Sequence, residues 1–184
     1  MAKVGIIGAG SWGTALSLLL HKNGNQVTVW SALEDEIAML LAEHEQKDKL
    51  PGVKLPEDMI FTTDLEEAVK DSEVLILAVP SPFTRSTAER MSPYMKEGQI
   101  IVNVAKGIEE KTLMTLSEII EQEIPAAEVA VLSGPSHAEE VGRGIPTTIV
   151  VGTGRKETAE RLQNLFMNEV FRVYTSSDVL GIEL

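Results

Sequence analysis

Short runs dominated by valine and isoleucine recur along the chain and constrain its architecture more than any other feature. They are Val4–Ile7, Val27–Trp30, Val74–Val79, Ile100–Val104, Val129–Leu132 and Thr147–Val151. A run that is apolar at nearly every position has no side to give to water. It is buried on both faces, as strands of a parallel sheet covered by helices are. The stretches between these runs carry helical periodicity. Trp12, Ala15, Leu16 and Leu19 fall at i, i+3, i+4 and i+7, one apolar stripe that Asn23-Gly24-Asn25 stops. Asp64-Leu65-Glu66-Glu67-Ala68-Val69 opens with an acidic turn, favourable at the positive end of a helix. Leu113, Leu116, Ile119 and Ile120 predict a further helix face, closed by Pro125. Strand and helix alternating at this spacing predict an α/β domain with a doubly wound, mostly parallel sheet. Lys47–Met59, with Pro51, Gly52 and Pro56, reads as a surface loop.

Bulk properties narrow the function classes. The 184 residues suit one large domain, and no repeat or linker divides them. Aromatic residues are only 4%, so the core is expected to be aliphatic. A formal net charge of −12 repels nucleic-acid backbones and anionic membranes, so neither is expected as a partner. An anionic substrate remains compatible if a few cations converge at one place. The absence of cysteine removes disulfides, thiolate catalysis and cysteine metal sites. No clustered histidines or Asp-x-Asp pattern suggests any other metal. Met1-Ala2-Lys3 runs straight into the first apolar run with no signal-peptide pattern, and no apolar stretch approaches a membrane span. A cytoplasmic location is the expectation.

Ligands on doubly wound sheets bind at the carboxyl ends of the strands, so the residues that follow each run carry the information. The first run is followed by Gly8-Ala9-Gly10-Ser11-Trp12-Gly13, a G-x-G-x-x-G turn between a strand and a helix, as in Rossmann-type dinucleotide sites. Gly8 permits the turn, Gly10 lets the backbone approach a pyrophosphate, and Gly13 lets helix pack against strand. The N–H groups of Ser11 and Trp12 would face the phosphates. The second run ends Trp30-Ser31-Ala32-Leu33. Glu34 and Asp35 stand slightly late for a ribose-binding acid and equally suit the first turn of the next helix, so NAD and NADP both remain open. After Val79-Pro80, Phe83 either lies over a cofactor or starts a helix as a buried aromatic. Lys106-Gly107 follows the run Ile100–Val104; an ammonium there either holds a phosphate, polarises a carbonyl or is simply solvated. In Ser133-Gly134-Pro135-Ser136-His137-Ala138, Ser136 suits a helix cap, and the N–H groups behind it a second anion site. His137 has no partner by spacing and reads as a bystander. His21 and His44 read as surface residues on helices.

Taken together, Gly8–Ala15, Val79-Pro80, Ala105–Glu109, Leu132–Ser136, Pro146-Thr147 and Phe171–Tyr174 resemble the bacterial-type NAD(P)-dependent glycerol-3-phosphate dehydrogenases, in the right order and across essentially the whole chain. The resemblance implies reversible reduction of dihydroxyacetone phosphate to sn-glycerol 3-phosphate, feeding glycerophospholipid synthesis, with NAD or NADP as cofactor and a small phosphate substrate. It implies cofactor contacts for Gly8, Gly10, Ser11, Trp12, Gly13, Phe83, Lys106 and Ala138, and substrate contacts for Lys106, Gly134 and Ser136. Family members often carry histidine or arginine after the tryptophan of the second strand, where this chain has Ser31, Ala32 and Leu33; Lys49 is the nearby cation. Residues 1–175 are expected to form the dinucleotide-binding domain. Ser176-Ser177-Asp178 resembles a helix N-cap, and 176–184 are expected to start the helix leading into a second, helical domain that carries the proton-donating lysine. On this expectation the chain alone holds cofactor but does not turn over. The resemblance leaves a homodimer open for the intact protein. Competing expectations are another two-domain reductase, acting on ketopantoate or a hydroxyacid, and a non-catalytic dinucleotide sensor.

Overall fold

The computed structural model describes residues 1–184. Eight strands, β1 (Lys3–Ile7), β2 (Gln26–Trp30), β3 (Ile60–Thr62), β4 (Val74–Leu77), β5 (Ile100–Asn103), β6 (Glu128–Ser133), β7 (Thr147–Gly152) and β8 (Phe171–Ser176), make one sheet in the order β3-β2-β1-β4-β5-β6-β7-β8. The first six are parallel; β7 runs antiparallel to β6 and parallel to β8. Helices α1 (Ser11–Lys22), α2 (Glu34–Glu43), α3 (Leu65–Lys70), α4 (Thr84–Met91), α5 (Leu116–Glu123), α6 (Ala138–Gly142), α7 (Lys156–Phe166) and α8 (Val179–Glu183) fill the connections. No helix is long and apolar enough to cross a membrane.

The continuous apolar runs divide their side chains between two cores by strict alternation. Val4, Ile6, Val27, Val29, Val74, Ile76, Ile100 and Val102 point to one face, where they meet Leu16, Leu20, Leu162 and Phe166. Ile7, Trp30, Leu75, Leu77 and Ile101 point to the other, onto Ala68, Val69, Met91 and Ile120. The absence of polar alternation in these runs is therefore the signature of a sheet covered on both sides. The chain goes outward from β1 to β2 and β3 on one side and crosses back to β4 on the other. The strand order thus reverses between β1 and β4, where doubly wound sheets open a cleft at their carboxyl edge.

Two strands lie outside the six expected ones. β3 is three residues long with an exposed Ile60, too short to show a pattern. β8 alternates buried Phe171 and Val173 with exposed Arg172 and Tyr174, the pattern of an edge strand with one wet face. The stretch 47–59 is irregular as expected, but it is no mere surface loop: Leu50, Val53, Leu55 and Met59 are buried in the main core. Leu113 does not join the face of α5. It stands exposed with φ +60° ahead of the helix, which starts only after Thr115. The Thr115 hydroxyl accepts from the Glu118 N–H, and the Glu118 carboxylate accepts from the Thr115 N–H, a reciprocal cap that fixes this start. His21 and His44 are half-buried rather than free surface residues. His21 Nε2 pairs with Asp58 at 3.0 Å, and His44 ends α2 in the left-handed region.

Candidate functional site

The glycine turn sits at the order reversal. The Gly8 N–H donates to the Trp30 carbonyl at 2.9 Å, tying the end of β1 to that of β2. Gly8 has φ +121°, and a Cβ there would stand 2.8 Å from the Ala78 carbonyl oxygen, behind β4. A Cβ on Gly13 would come within 2.0 Å of the Gly8 carbonyl oxygen. Both glycines are therefore demanded by the fold itself. Gly10 is different: a Cβ there would meet nothing within 4 Å, and its φ of −67° suits any residue. No contact within the protein accounts for a glycine at that position, whereas the close approach of an external group would. Gly10 is also the N-cap of α1, without any side-chain cap bond, and the first turn holds no acidic residue. The positive end of a twelve-residue helix thus faces open space beside a residue that has no side chain. Ser11 and Trp12 are half-buried at this edge. These features fit the pyrophosphate of a dinucleotide.

The neighbouring strand ends complete the edge. After β4, Pro80 leads into a 3-10 turn, Ser81–Phe83. Phe83 is 59% exposed, which removes the reading of a buried helix-start aromatic. The Ser81 side chain approaches Gly107 behind β5, where a Cβ would stand 3.6 Å from Ser81 Oγ. Lys106 Nζ donates to the Gly134 carbonyl at 3.2 Å, and Ser136 Oγ donates to the same oxygen at 3.4 Å. Residues that follow β5 and β6 thus meet over one acceptor. Gly134 lies so close to β7 that a Cβ would press on Ile149 Cα at 3.2 Å. Beside these groups is a recess of about 430 Å³, lined by Lys106, Gly107, Ser133, Gly134, Pro135, Glu183 and Leu184. Ser136 does not cap α6. That role falls to the exposed His137, without a side-chain bond, and a five-residue helix makes no anion site of its own. Ala138 opens α6 and packs, like Trp12, on the margin of the main core.

Buried polar groups hold this edge in shape, and sequence patterns did not reveal them. Asn103 ends β5 fully buried; its Oδ1 accepts from the Ala105 N–H at 3.2 Å, and its Nδ2 donates to the Ala105 carbonyl at 3.1 Å. Nδ2 also donates to Glu183 Oε1 at 3.1 Å. The Glu183 carboxylate, buried at 5% exposure, further accepts from the Ser117 N–H at 2.9 Å and the Ser117 hydroxyl at 2.5 Å. α8 is thereby bonded to the strand end that carries Lys106. Farther along, Arg85 on α4 grips Glu109 with two bonds, 2.7 and 2.8 Å, and also reaches Glu123 and Gln122 on α5. The Arg85 guanidinium, helped by the Thr112 hydroxyl, holds the Glu109 carboxyl down to about 2. Glu109 and Glu123 in turn raise the Arg85 guanidinium further. The Lys106–Thr115 segment is thus anchored to the body of the domain at Glu109.

At the end of β2, Glu34 and Asp35 lie in the first turn of α2, and Leu33 is its N-cap. The acid that is turned inward is Glu36, one residue beyond those the sequence singled out. It accepts from Ser31 Oγ at 2.5 Å, Gln46 Nε2 at 2.7 Å and Lys49 Nζ at 2.5 Å. Gln46 Nε2 also donates to the Ala9 carbonyl of the glycine turn at 2.8 Å. A wide spacing such as Ser31, Glu36, Gln46 gives no periodic signal.

The model of the NAD-dependent glycerol-3-phosphate dehydrogenase N-terminus matches residues 3–159. The chain is 67% identical to a glycerol-3-phosphate dehydrogenase [NAD(P)+] of Agathobacter rectalis, over 100% of this chain and 55% of the relative. It is 53% identical to the one of Fusobacterium nucleatum subsp. nucleatum, over 100% of this chain and 56% of the relative. Among solved structures, glycerol-3-phosphate dehydrogenase from Coxiella burnetii superposes with a TM-score of 0.94 at 31% identity, over 99% of this chain and 56% of that one. The chain therefore spans about half the length of the curated relatives it matches.

Proposed function

The chain belongs to the family of NAD-dependent glycerol-3-phosphate dehydrogenase N-terminal domains, and from that premise we propose that it is the part of such an enzyme that holds the dinucleotide and the substrate phosphate. The reaction proposed is the reversible interconversion of dihydroxyacetone phosphate and sn-glycerol 3-phosphate, which supplies glycerophospholipid synthesis. One observation supports this reading above others: Lys106 Nζ and Ser136 Oγ converge on the Gly134 carbonyl, at the strand edge that also bears the uncapped start of α1. Two donors sharing one neutral acceptor are placed to turn together to an anion.

In this reading Gly8, Gly10, Ser11, Trp12 and Gly13 cradle the pyrophosphate, and the exposed Phe83 and Ala138 border the cofactor. When bound, the nicotinamide supplies the hydride for the ketone carbon. Lys106 contacts both cofactor and substrate. It neutralises the substrate phosphate and fixes the orientation of the ketone, an electrostatic and positional contribution. Gly134 and Ser136 complete the phosphate contact. Lys106 is the one lysine lining the recess, and this reading gives it to the substrate phosphate. As the family resemblance implies, and with the chain spanning about half the length of its relatives, we assign the proton donor to a lysine outside residues 1–184, on a helical domain reached through 176–184. Residues 1–175 form the dinucleotide-binding unit, and the chain by itself does not turn over. The proposed setting is cytoplasmic, without nucleic-acid or membrane partners, and with a homodimer for the intact protein.

The test is steady-state kinetics of the full-length protein against dihydroxyacetone phosphate, ketopantoate and hydroxyacid-forming ketoacids. Turnover is expected with dihydroxyacetone phosphate. Lys106→Ala is expected to lower kcat/KM by about 100- to 1,000-fold, the scale of losing one oriented charge donor. An unchanged kcat/KM removes Lys106 from the site, and preference for another ketone overturns the substrate.

A further inference from the structure

We propose that the cluster around Glu36 makes this chain selective for NAD over NADP. The inference rests on the reading above that the glycine turn holds a dinucleotide. In such sites the ribose nearest the second strand lies at that strand's carboxyl end, where its 2′ substituent is either a hydroxyl or a phosphate. Here that place is a recess of about 440 Å³ whose lining includes Ala32, Leu33, Glu34, Asp35, Asp48 and Lys49, with Glu36 in its wall. Glu36 is one amide away from the turn, because Gln46 Nε2 bonds both Glu36 Oε1 and the Ala9 carbonyl.

Charge decides against the phosphate. Four carboxylates line the recess against one ammonium, a formal charge of −3. The single cation, Lys49, is already paired with Glu36 at 2.5 Å. Arg90 lies over the ring of the buried Trp30 at 5.4 Å, and no arginine lines the recess. A 2′-phosphate would bring about two further negative charges with no free partner. A 2′-hydroxyl needs an acceptor instead. A carboxylate offers about four acceptor positions. Glu36 fills two on Oε1, with Gln46 and Lys49, and one on Oε2, with Ser31. The geometry assigns the remaining position on Oε2 to the ribose hydroxyl. Because Glu36 is 8% exposed and held by three donors, it is preorganised for that contact.

Fluorescence titration of the full-length protein with NADH and with NADPH tests this independently of turnover. The expected result is a Kd for NADH about 100-fold lower than for NADPH, the scale of an unrelieved like-charge contact. The ratio should shrink as salt is added, because the discrimination is electrostatic. Leu33→Arg, at a position 59% exposed, should lower the ratio at least about tenfold by giving the phosphate a partner. Glu36→Gln should lower it too, by weakening NADH and freeing Lys49; the surface variant Glu34→Gln covers the case in which Glu36→Gln does not fold. Equal or tighter binding of NADPH by the unaltered protein overturns the proposal, as does a ratio that Leu33→Arg leaves unmoved. NADH preference without dihydroxyacetone phosphate turnover supports the cofactor inference and overturns the substrate reading. Turnover with NADPH preferred does the reverse. Binding of neither dinucleotide overturns both.

Discussion

At the scale of single residues, the three glycines of the turn separate stability from binding. Gly13→Ala forces a methyl to within 2.0 Å of a backbone oxygen, so helix or strand must move. The expected cost is about 1–3 kcal/mol or more, seen as a lower midpoint in chemical denaturation. Gly10→Ala meets no atom and should cost under about 1 kcal/mol, the difference between glycine and alanine at an N-cap. On the proposed function its effect should fall instead on the dinucleotide, with NADH affinity reduced at least tenfold, since the methyl would occupy the space proposed for the pyrophosphate. Equal losses of stability for the two variants would contradict this division. The glycines, Lys106 and Gly134–Ser136 stand out in sequence by their position after apolar runs, and the structure brings Lys106 and Ser136 together over the Gly134 carbonyl. Ser31, Glu36, Gln46, Asn103 and Glu183 do not stand out. Their partners lie 5, 10, 37, 66 or 80 residues away. A buried polar contact of that kind obeys no period.

At the scale of elements, the segment between β5 and α5 is tied to α4 by the ion pair of Arg85 with Glu109. Glu109 titrates near 2, below the ordinary carboxylate value of 4.5, because of Arg85 first and Thr112 second. A carboxylate whose pKa is lowered in the folded state adds stability that is complete above its unfolded value and disappears as pH falls through the folded one. The stabilising difference between the unaltered protein and Glu109→Gln should therefore be full above about pH 4.5 and decline toward pH 2. Thermal melts of both proteins across that window check it; a difference that persists undiminished at pH 2 would rule the ion pair out as its source. Element starts were legible where a side chain caps. Asp64 accepts from the Glu66 and Glu67 N–H groups, and Asp178 accepts from the Gly181 N–H, as their place before apolar residues predicts. α5 shows the opposite lesson. Apolar spacing extended it to Leu113, whereas the Thr115–Glu118 cap places its start after Thr115. Capping chemistry was the better guide to the boundary, and periodicity the better guide to the element.

At the scale of the whole molecule, the sheet and its two cores were legible because burial on both faces leaves a plain mark in sequence. The edges were not, since β3 is short and β8 is half-wet. The direction of β7 was likewise hidden: an apolar run has no arrow, and only the short connection through α6 turns it against β6. The far end of the chain is joined to the middle of the sheet through Glu183. Glu183→Ala would leave the buried Ser117 N–H without its partner and detach α8 from β5 and α5. The expected loss is about 1–3 kcal/mol by chemical denaturation, with faster amide exchange in α8. Unaltered stability and exchange would show that α8 is held by its apolar contacts alone.

The contact between Lys106, Ser136 and the Gly134 carbonyl also bears on what the recess ignores. One N–H of the solvent-exposed Lys106 ammonium and the Ser136 hydroxyl rest on a neutral oxygen of the protein. A visitor that displaces these two bonds gains only the difference between its own oxygen and that one. For an uncharged ketone or alcohol the difference is near zero, and the resting arrangement persists. For a dianion it is large. The carbonyl thus acts as an internal competitor that sets a threshold, and metabolites of the right shape without the phosphoryl group should pass the site unrecognised.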